Sequence, residues 1–209
     1  CEGPTERGFL QPLLANLAQG EGLAGLDSLG VVLVGRQGYG QPHVLRDATS
    51  LLDLGIACGL FVDNEGEHSG RRAGLANQTH CVLGTWVDVV NVEQAVAKHL
   101  PQDALDDLVT LAAELNGRSS ASPFLQKLGE ALATPGTADV SQLIASHGED
   151  VVRTALGALM SDDSWFKTLE NGKRLGEHLL AIGVPPAIDD PLRQFFSELR
   201  ALRAQVIET

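Results

Sequence analysis

The chain is short of cysteine and has no long apolar run, and each absence excludes a class of protein. Its three cysteines, Cys1, Cys58 and Cys81, are odd in number and widely spaced, so neither a disulfide framework nor a zinc site is indicated. No window approaches the roughly 18 consecutive apolar residues that a membrane span needs, and no Lys/Arg-rich start followed by an apolar segment suggests secretion. We therefore expect a soluble protein with no membrane partner in the reducing cytoplasm.

Basic residues are also scarce, since Lys and Arg total 15 against 27 Asp and Glu, for a formal net charge of −12. A protein that coats nucleic acid with its whole surface needs an excess of Lys and Arg to displace counterions from phosphates. That mode of binding is excluded. At 209 residues the chain can hold one substantial core. It does not begin with Met, which favours truncation of a longer protein.

Helical and strand-like patterns alternate over the first ninety residues. Helical spacing of apolar residues covers 7–17 and 43–54, and three continuous apolar runs, at 31–34, 56–63 and 80–86, predict short buried strands. Strands that are apolar throughout and alternate with helices are typical of a parallel sheet covered on both faces. The predicted fold class is α/β.

The pattern turns helical from Val92 onward, with breaks at Pro101, Gly117, Pro123 and Pro135. We therefore predict a helical subdomain at 96–162, inserted between two parts of the sheet-containing core at 1–95 and 163–209. The last part carries amphipathic helices.

Five carboxylates stand at predicted ends of helices and strands: Glu2, Glu6, Asp63, Glu65 and Glu93. One such acid alone is usually a favourable charge at a helix start or a solvated loop residue. Ligands of parallel sheets gather outside the carboxyl ends of the strands, so we expect several of these acids to converge. Clustered carboxylates repel one another unless a cation is bound, and hard oxygen ligands favour Mg²⁺ or Mn²⁺.

Three motifs carry a resemblance to a known family: EGPTE at 2–6, VVLVGRQG at 31–38 and FVDNE at 61–65. They resemble the Toprim domain, a Rossmann-like parallel sheet flanked by helices, which carries a Glu after its first strand and a DxD after its third. More narrowly, the EGxTE opening, the helical insertion and a late lysine resemble the C-terminal nuclease region of OLD-family (overcoming lysogenization defect) proteins. The resemblance covers roughly residues 1–95 and 161–185.

The resemblance implies a DNA endonuclease that hydrolyses phosphodiesters with two Mg²⁺ or Mn²⁺ ions. It places the metal ligands on the five carboxylates above, with Glu2 as ligand or general base. The catalytic lysine would be Lys167, with Lys173 as a competitor. Two departures are Glu65 in place of the second Asp of DxD, and the lack of an apolar strand before Glu2, as if the chain started on that strand's last residue.

The implied partners are DNA, an N-terminal ABC-type ATPase domain of the full-length protein and, in some systems of phage defence, a UvrD-like helicase. The ATPase is absent here, because no GxxxxGK[ST] motif occurs.

Two alternatives stay open: a phosphohydrolase or phospho-receiver using Asp63, and a non-catalytic Toprim-like interaction module. Arg71 and Arg72 could hold a phosphate, although such a pair is more often an ordinary surface charge. Trp86, Trp165 and Phe166 are expected to pack in the core.

Overall fold

The structure is a computed structural model that describes residues 1–35, 40–64, 66–136 and 139–207. These residues are mostly helical and contain a two-stranded parallel sheet, so the fold is α/β in this coarse sense. In chain order the helices and strands are α1 (Pro4–Gly20), α2 (Gly40–Asp53), β1 (Cys58–Val62), α3 (Ser69–Ala76), β2 (Cys81–Thr85), α4 (Val92–His99), α5 (Leu105–Leu115), α6 (Ser122–Ala131), α7 (Val140–His147), α8 (Glu149–Asp162), α9 (Leu169–Ile182) and α10 (Pro186–Ile207). Of the described helices, none is long and apolar enough to cross a membrane.

The two strands run parallel, with Cys58 opposite Cys81 and Val62 opposite Thr85. Successive side chains of a strand point to opposite faces of the sheet. Accordingly, Leu60 and Val62 pack in one cluster with residues of α2 and α3, whereas the ring of Phe61 meets Phe195 of α10 edge to face. Helices therefore cover both faces, and the strands predicted within 56–63 and 80–86 are confirmed as parallel.

The strand predicted at residues 31–34 is wrong, because that segment belongs to neither a strand nor a helix. Val32 is 80% exposed and Val34 63% exposed. An apolar run becomes a strand only if a neighbouring backbone supplies hydrogen bonds, and no described strand lies beside this one. Residues 36–39 of the predicted glycine-rich loop lie outside the described residues.

The chain forms two compact units, residues 1–90 with 168–209, and residues 91–167. The sequence predicts these boundaries at 95/96 and 162/163. In the second unit α8 packs against α4, α6 and α7, and Trp165 and Phe166 are buried, with Trp165 edge to face against Phe124. Trp86 is buried in the first unit, so the expected core packing of all three aromatic residues is confirmed.

In the first unit α1 and α9 pack backbone to backbone through glycines. A Cβ on Gly8 would lie 2.1 Å from the carbonyl oxygen of Leu169, and one on Gly172 would lie 2.3 Å from that of Thr5. Both distances are far below van der Waals contact, so these positions accept glycine alone at this helix separation. This contact joins α1, near the start of the chain, to α9, more than 160 residues later.

Replacing Gly172 with Ala should therefore lower the free energy of unfolding by about 1–3 kcal/mol, because the added methyl forces α1 and α9 apart. Urea denaturation followed by circular dichroism measures the change. Gly74→Ala in α3 is the matched control, since a Cβ there meets open space. It should be neutral or stabilise by about 0.5–1 kcal/mol. Equal stability of both variants would contradict the close approach.

Candidate functional site

Glu2 lies beside Asp63 at the carboxyl end of β1. Its Oε1 accepts a hydrogen bond from the backbone N–H of Asp63 at 3.0 Å and another from Nε2 of Gln41 at 2.7 Å. Glu2 is 7% exposed and Asp63 9% exposed. Two predicted site residues far apart in sequence are thus brought together where ligands of parallel sheets bind.

Glu6 stands in the first turn of α1, close to the same place. Burial lowers the pKa of the α-ammonium of Cys1 below its ordinary value of 8.0, while the negative charges of Glu6 and Glu2 raise it. Both carboxylates are therefore near enough to this ammonium to stabilise its charge. The carboxyl end of β1 is therefore acidic, because it has Glu2, Glu6 and Asp63 nearby.

Two polar residues that the sequence did not assign hold Glu2 in place. Arg72 donates from Nη1 to Oε1 of Gln41 at 2.8 Å and to the carbonyl oxygen of Asp63 at 3.2 Å, and from Nη2 to Oδ1 of Asn64 at 3.1 Å. Because the guanidinium occupies Oε1 of Gln41, the amide nitrogen of Gln41 is directed to Glu2 and to the carbonyl oxygen of Asp63, 2.7 Å away.

The interpretation of Arg72 as an ordinary surface charge is wrong, since the residue is 7% exposed, whereas its neighbour Arg71 is exposed. The sequence contains one indication that Arg72 is buried. Arg72 and Leu75 are three apart and share a face of α3, and Leu75 is apolar and buried. Gln41 gave no comparable signal, because it follows a glycine-rich stretch that predicts a loop.

Glu93 and Lys167 form a separate pair within the second unit. Glu93 is in the first turn of α4, which Asn91 caps by accepting the N–H of Gln94 at 3.0 Å. The carboxylate of Glu93 is fully buried, and its Oε1 lies 3.3 Å from Nζ of Lys167, whose side chain is 43% exposed. Neither oxygen of Glu93 accepts a hydrogen bond from a described residue, so the lysine is what offsets its charge.

Lys173 is the second candidate for the catalytic lysine. Lys173 lies on α9, 44% exposed, and pairs with Glu177 one turn later at 3.7 Å. Such a pair on a helix surface contributes a few tenths of a kcal/mol. Of the two candidate lysines, Lys167 is therefore the one that contacts another predicted site residue. Glu65 lies outside the described residues.

The carboxylates at the end of β1 are suitable ligands for a hard cation, but the described residues supply too few of them to form a metal site. Carboxylate oxygens are the ligands that Mg²⁺ and Mn²⁺ prefer. Among the described residues, however, no group of three or more His, Cys, Asp or Glu side chains is arranged to hold a metal ion. Glu65, the neighbour of Asp63 two residues on, would be needed to complete a site.

Comparison with known proteins adds no family: no family model matches the chain, and neither the curated proteins nor the solved structures contain a match. Any statement of function therefore rests on the residues at the end of β1.

Replacing Arg72 with Ala should lower the free energy of unfolding by about 1–3 kcal/mol, because it leaves Oε1 of Gln41 and the carbonyl oxygen of Asp63 buried without this donor. Arg71→Ala is the matched control and should stay within about 0.5 kcal/mol. Guanidinium denaturation measures both. Similar values for the two arginines would contradict the buried network.

Replacing Lys167 with Ala should also destabilise the protein by about 1–3 kcal/mol, because the buried carboxylate of Glu93 loses its cation. The double variant Glu93→Gln with Lys167→Ala should recover part of that loss, since no buried charge remains. Lys173→Ala is the control, with an expected change below about 0.5 kcal/mol. No recovery in the double variant would show that the ion pair is unimportant.

Proposed function

We propose that this chain is the nuclease region of a metal-dependent DNA endonuclease with a Toprim-like core. One observation carries the proposal: the carboxylate of Glu2 is bonded to the backbone N–H of Asp63 at the carboxyl end of β1, so two residues that the resemblance assigns to the same site are neighbours there. The parallel pairing of β1 with β2 and the helices on both faces are consistent with such a core.

The electrostatics of this region favour a bound cation. Glu2 and Asp63 are both nine-tenths buried, and Glu6 adds a third negative charge nearby. Placing anions together in a region of low dielectric is costly unless positive charge lies nearby. A phosphodiester is itself an anion, so added positive charge would favour its approach to three carboxylates. Divalent ions bound there would neutralise the carboxylates and activate water for attack on phosphorus.

Hydrogen bonds from neighbouring residues fix the orientation of Glu2 at the carboxyl end of β1. With Oε1 of Glu2 engaged by Asp63 and Gln41, Oε2 is the oxygen that Glu2 would offer to a cation or to an attacking water. Arg72 fixes Gln41 and the backbone of Asp63 at once. A carboxylate held in this way changes little in orientation when a ligand binds, which is the preorganisation that catalysis requires.

The remaining assignments stay predictions. Glu65 as a ligand, Glu93 as a ligand and Lys167 as the catalytic lysine come from the resemblance, as do an N-terminal ABC-type ATPase domain and a UvrD-like helicase as partners.

The non-catalytic interaction module stays the alternative prediction. The two functions differ in metal binding, which can be measured without any cleavage assay.

Asp63→Asn and Glu2→Gln should each slow the nicking of supercoiled plasmid in Mg²⁺ or Mn²⁺ by about 10²-fold or more. Asp27→Asn, an exposed carboxylate changed in the same way, is the control and should cut at the unmodified rate. Circular dichroism melts establish that all three variants fold.

Calorimetric titration with Mn²⁺ gives an independent readout, in which Asp63→Asn should weaken binding at least tenfold. Unchanged cutting by Asp63→Asn would reject the assignment. Absence of both cutting and Mn²⁺ binding at millimolar concentration in the unmodified chain would favour the interaction module.

A further inference from the structure

A partly polar cleft of about 650 Å³ lies between α2 and α3. His43, Arg46 and Thr49 line it from α2, and Arg71 and Gly74 line it from α3. A Cβ on Gly74 would meet no atom within 4 Å, so this wall of the cleft has free space above it. The cleft therefore has room for a group that approaches from outside.

The cleft begins beside the candidate site. Gln41, which donates to Glu2, is followed at once by the first cleft residues of α2. Arg72, which donates to Gln41 at 2.8 Å, is preceded at once by Arg71 of the cleft. The first turns of α2 and α3 thus meet at this contact. A DNA strand with one phosphate at the carboxyl end of β1 would reach the cleft with a neighbouring phosphate.

The basic residues of the cleft are concentrated at the end nearer to the candidate site. Arg46 is in the second turn of α2, and Arg71 is in the first turn of α3. The acid among the described residues that line the cleft, Asp53, is the last residue of α2. Because a helix rises 1.5 Å per residue, Asp53 is about 10 Å farther along α2 than Arg46. Two positive charges therefore lie together in a chain whose formal net charge is −12.

Both arginines retain donors for an anion. The side chain of Arg46 is 61% exposed, and its Nε lies a long 3.9 Å from Oδ1 of Asp47, so this pair holds it only weakly. Nη2 of Arg46 donates to Nδ1 of His43 at 3.0 Å, because a guanidinium has no acceptor. The ring thus steadies Arg46 within the cleft. Arg71 is exposed and forms no ion pair within the part of the chain that the structure describes.

We propose that the cleft between α2 and α3 binds the backbone of the DNA strand that is cut, with Arg46 and Arg71 each contacting a phosphate beside the reacting one. This role rests on the proposed nuclease function, because it takes the carboxyl end of β1 as the place of cleavage. A planar guanidinium offers two parallel N–H donors to phosphate oxygens. Such contacts position DNA without reading its sequence. A local pair of cations also explains how an acidic chain meets an anionic substrate.

The test is the affinity for a short labelled DNA duplex, measured by fluorescence anisotropy in Ca²⁺, a cation that also prefers oxygen ligands. The double variant Arg46→Gln with Arg71→Gln should bind about tenfold more weakly or worse. The slope of log affinity against log salt concentration should fall by roughly 1 to 2, since each phosphate contact adds about 0.9. Circular dichroism melts should be unchanged, because both side chains are exposed.

Arg193→Gln is the matched control, because it removes an exposed arginine from α10, which covers the other face of the sheet. Its affinity and salt slope should equal those of the unmodified chain. Plasmid nicking in Mg²⁺ gives a second readout. The double variant should raise KM about tenfold and leave kcat within about twofold, as expected when binding is lost without loss of chemistry.

The cleft and the nuclease assignment fail in different ways. If the double variant binds DNA with the affinity and salt slope of Arg193→Gln, the cleft is not a DNA site, whether or not the chain nicks plasmid. Undetectable binding of the duplex by the unmodified chain at low salt overturns the cleft as well. If the unmodified chain never nicks, but its DNA binding depends on Arg46 and Arg71, the nuclease assignment fails and the phosphate contacts of the cleft stand.

Discussion

The carboxylate of Glu2 accepts two buried hydrogen bonds that join the first residues of the chain to the end of β1, and the arrangement of the candidate site depends on them. One donor is the backbone of Asp63 and the other is Gln41 at the start of α2. Hydrogen bonds to a charged group contribute about 1.5–3 kcal/mol each. Without them the residues that precede α1 would lose the two bonds that hold Glu2 beside the end of β1.

The buried polar network around Glu2 also includes Arg72, and its hydrogen bonds offset the cost of burying polar groups. Arg72 brings a positive charge close to the acids and donates hydrogen bonds to Oε1 of Gln41, the carbonyl oxygen of Asp63 and Oδ1 of Asn64. The guanidinium thus orders the backbone around the carboxylates without forming a direct ion pair with Glu2.

The sequence predicted those parts of the structure that follow from local periodicity. Helical spacing located α1 and α2, and continuous apolar runs located β1 and β2 with the correct parallel sense. The adjacency of Glu2 and Asp63 could be inferred from their places at predicted ends of elements. The hydrogen bonds of Gln41 and Arg72 could not, because these two residues are 31 apart; the spacing of Arg72 and Leu75 indicates only that Arg72 is buried. Similarly, the pairing of Glu93 with Lys167 joins residues more than seventy apart.

The failed strand at residues 31–34 is informative for a different reason. Its sequence, three valines and Leu33 followed by Gly35, has the apolar and β-branched character of a buried strand. Propensity describes how a residue fits a pleated, half-buried surface, so it has an effect only when such a surface exists. Here residues 58–60 line the same apolar cavity as residues 31–34, and among the described residues no strand pairs with residues 31–34. The error in the secondary-structure prediction thus follows from the lack of a pairing strand and not from the character of the sequence.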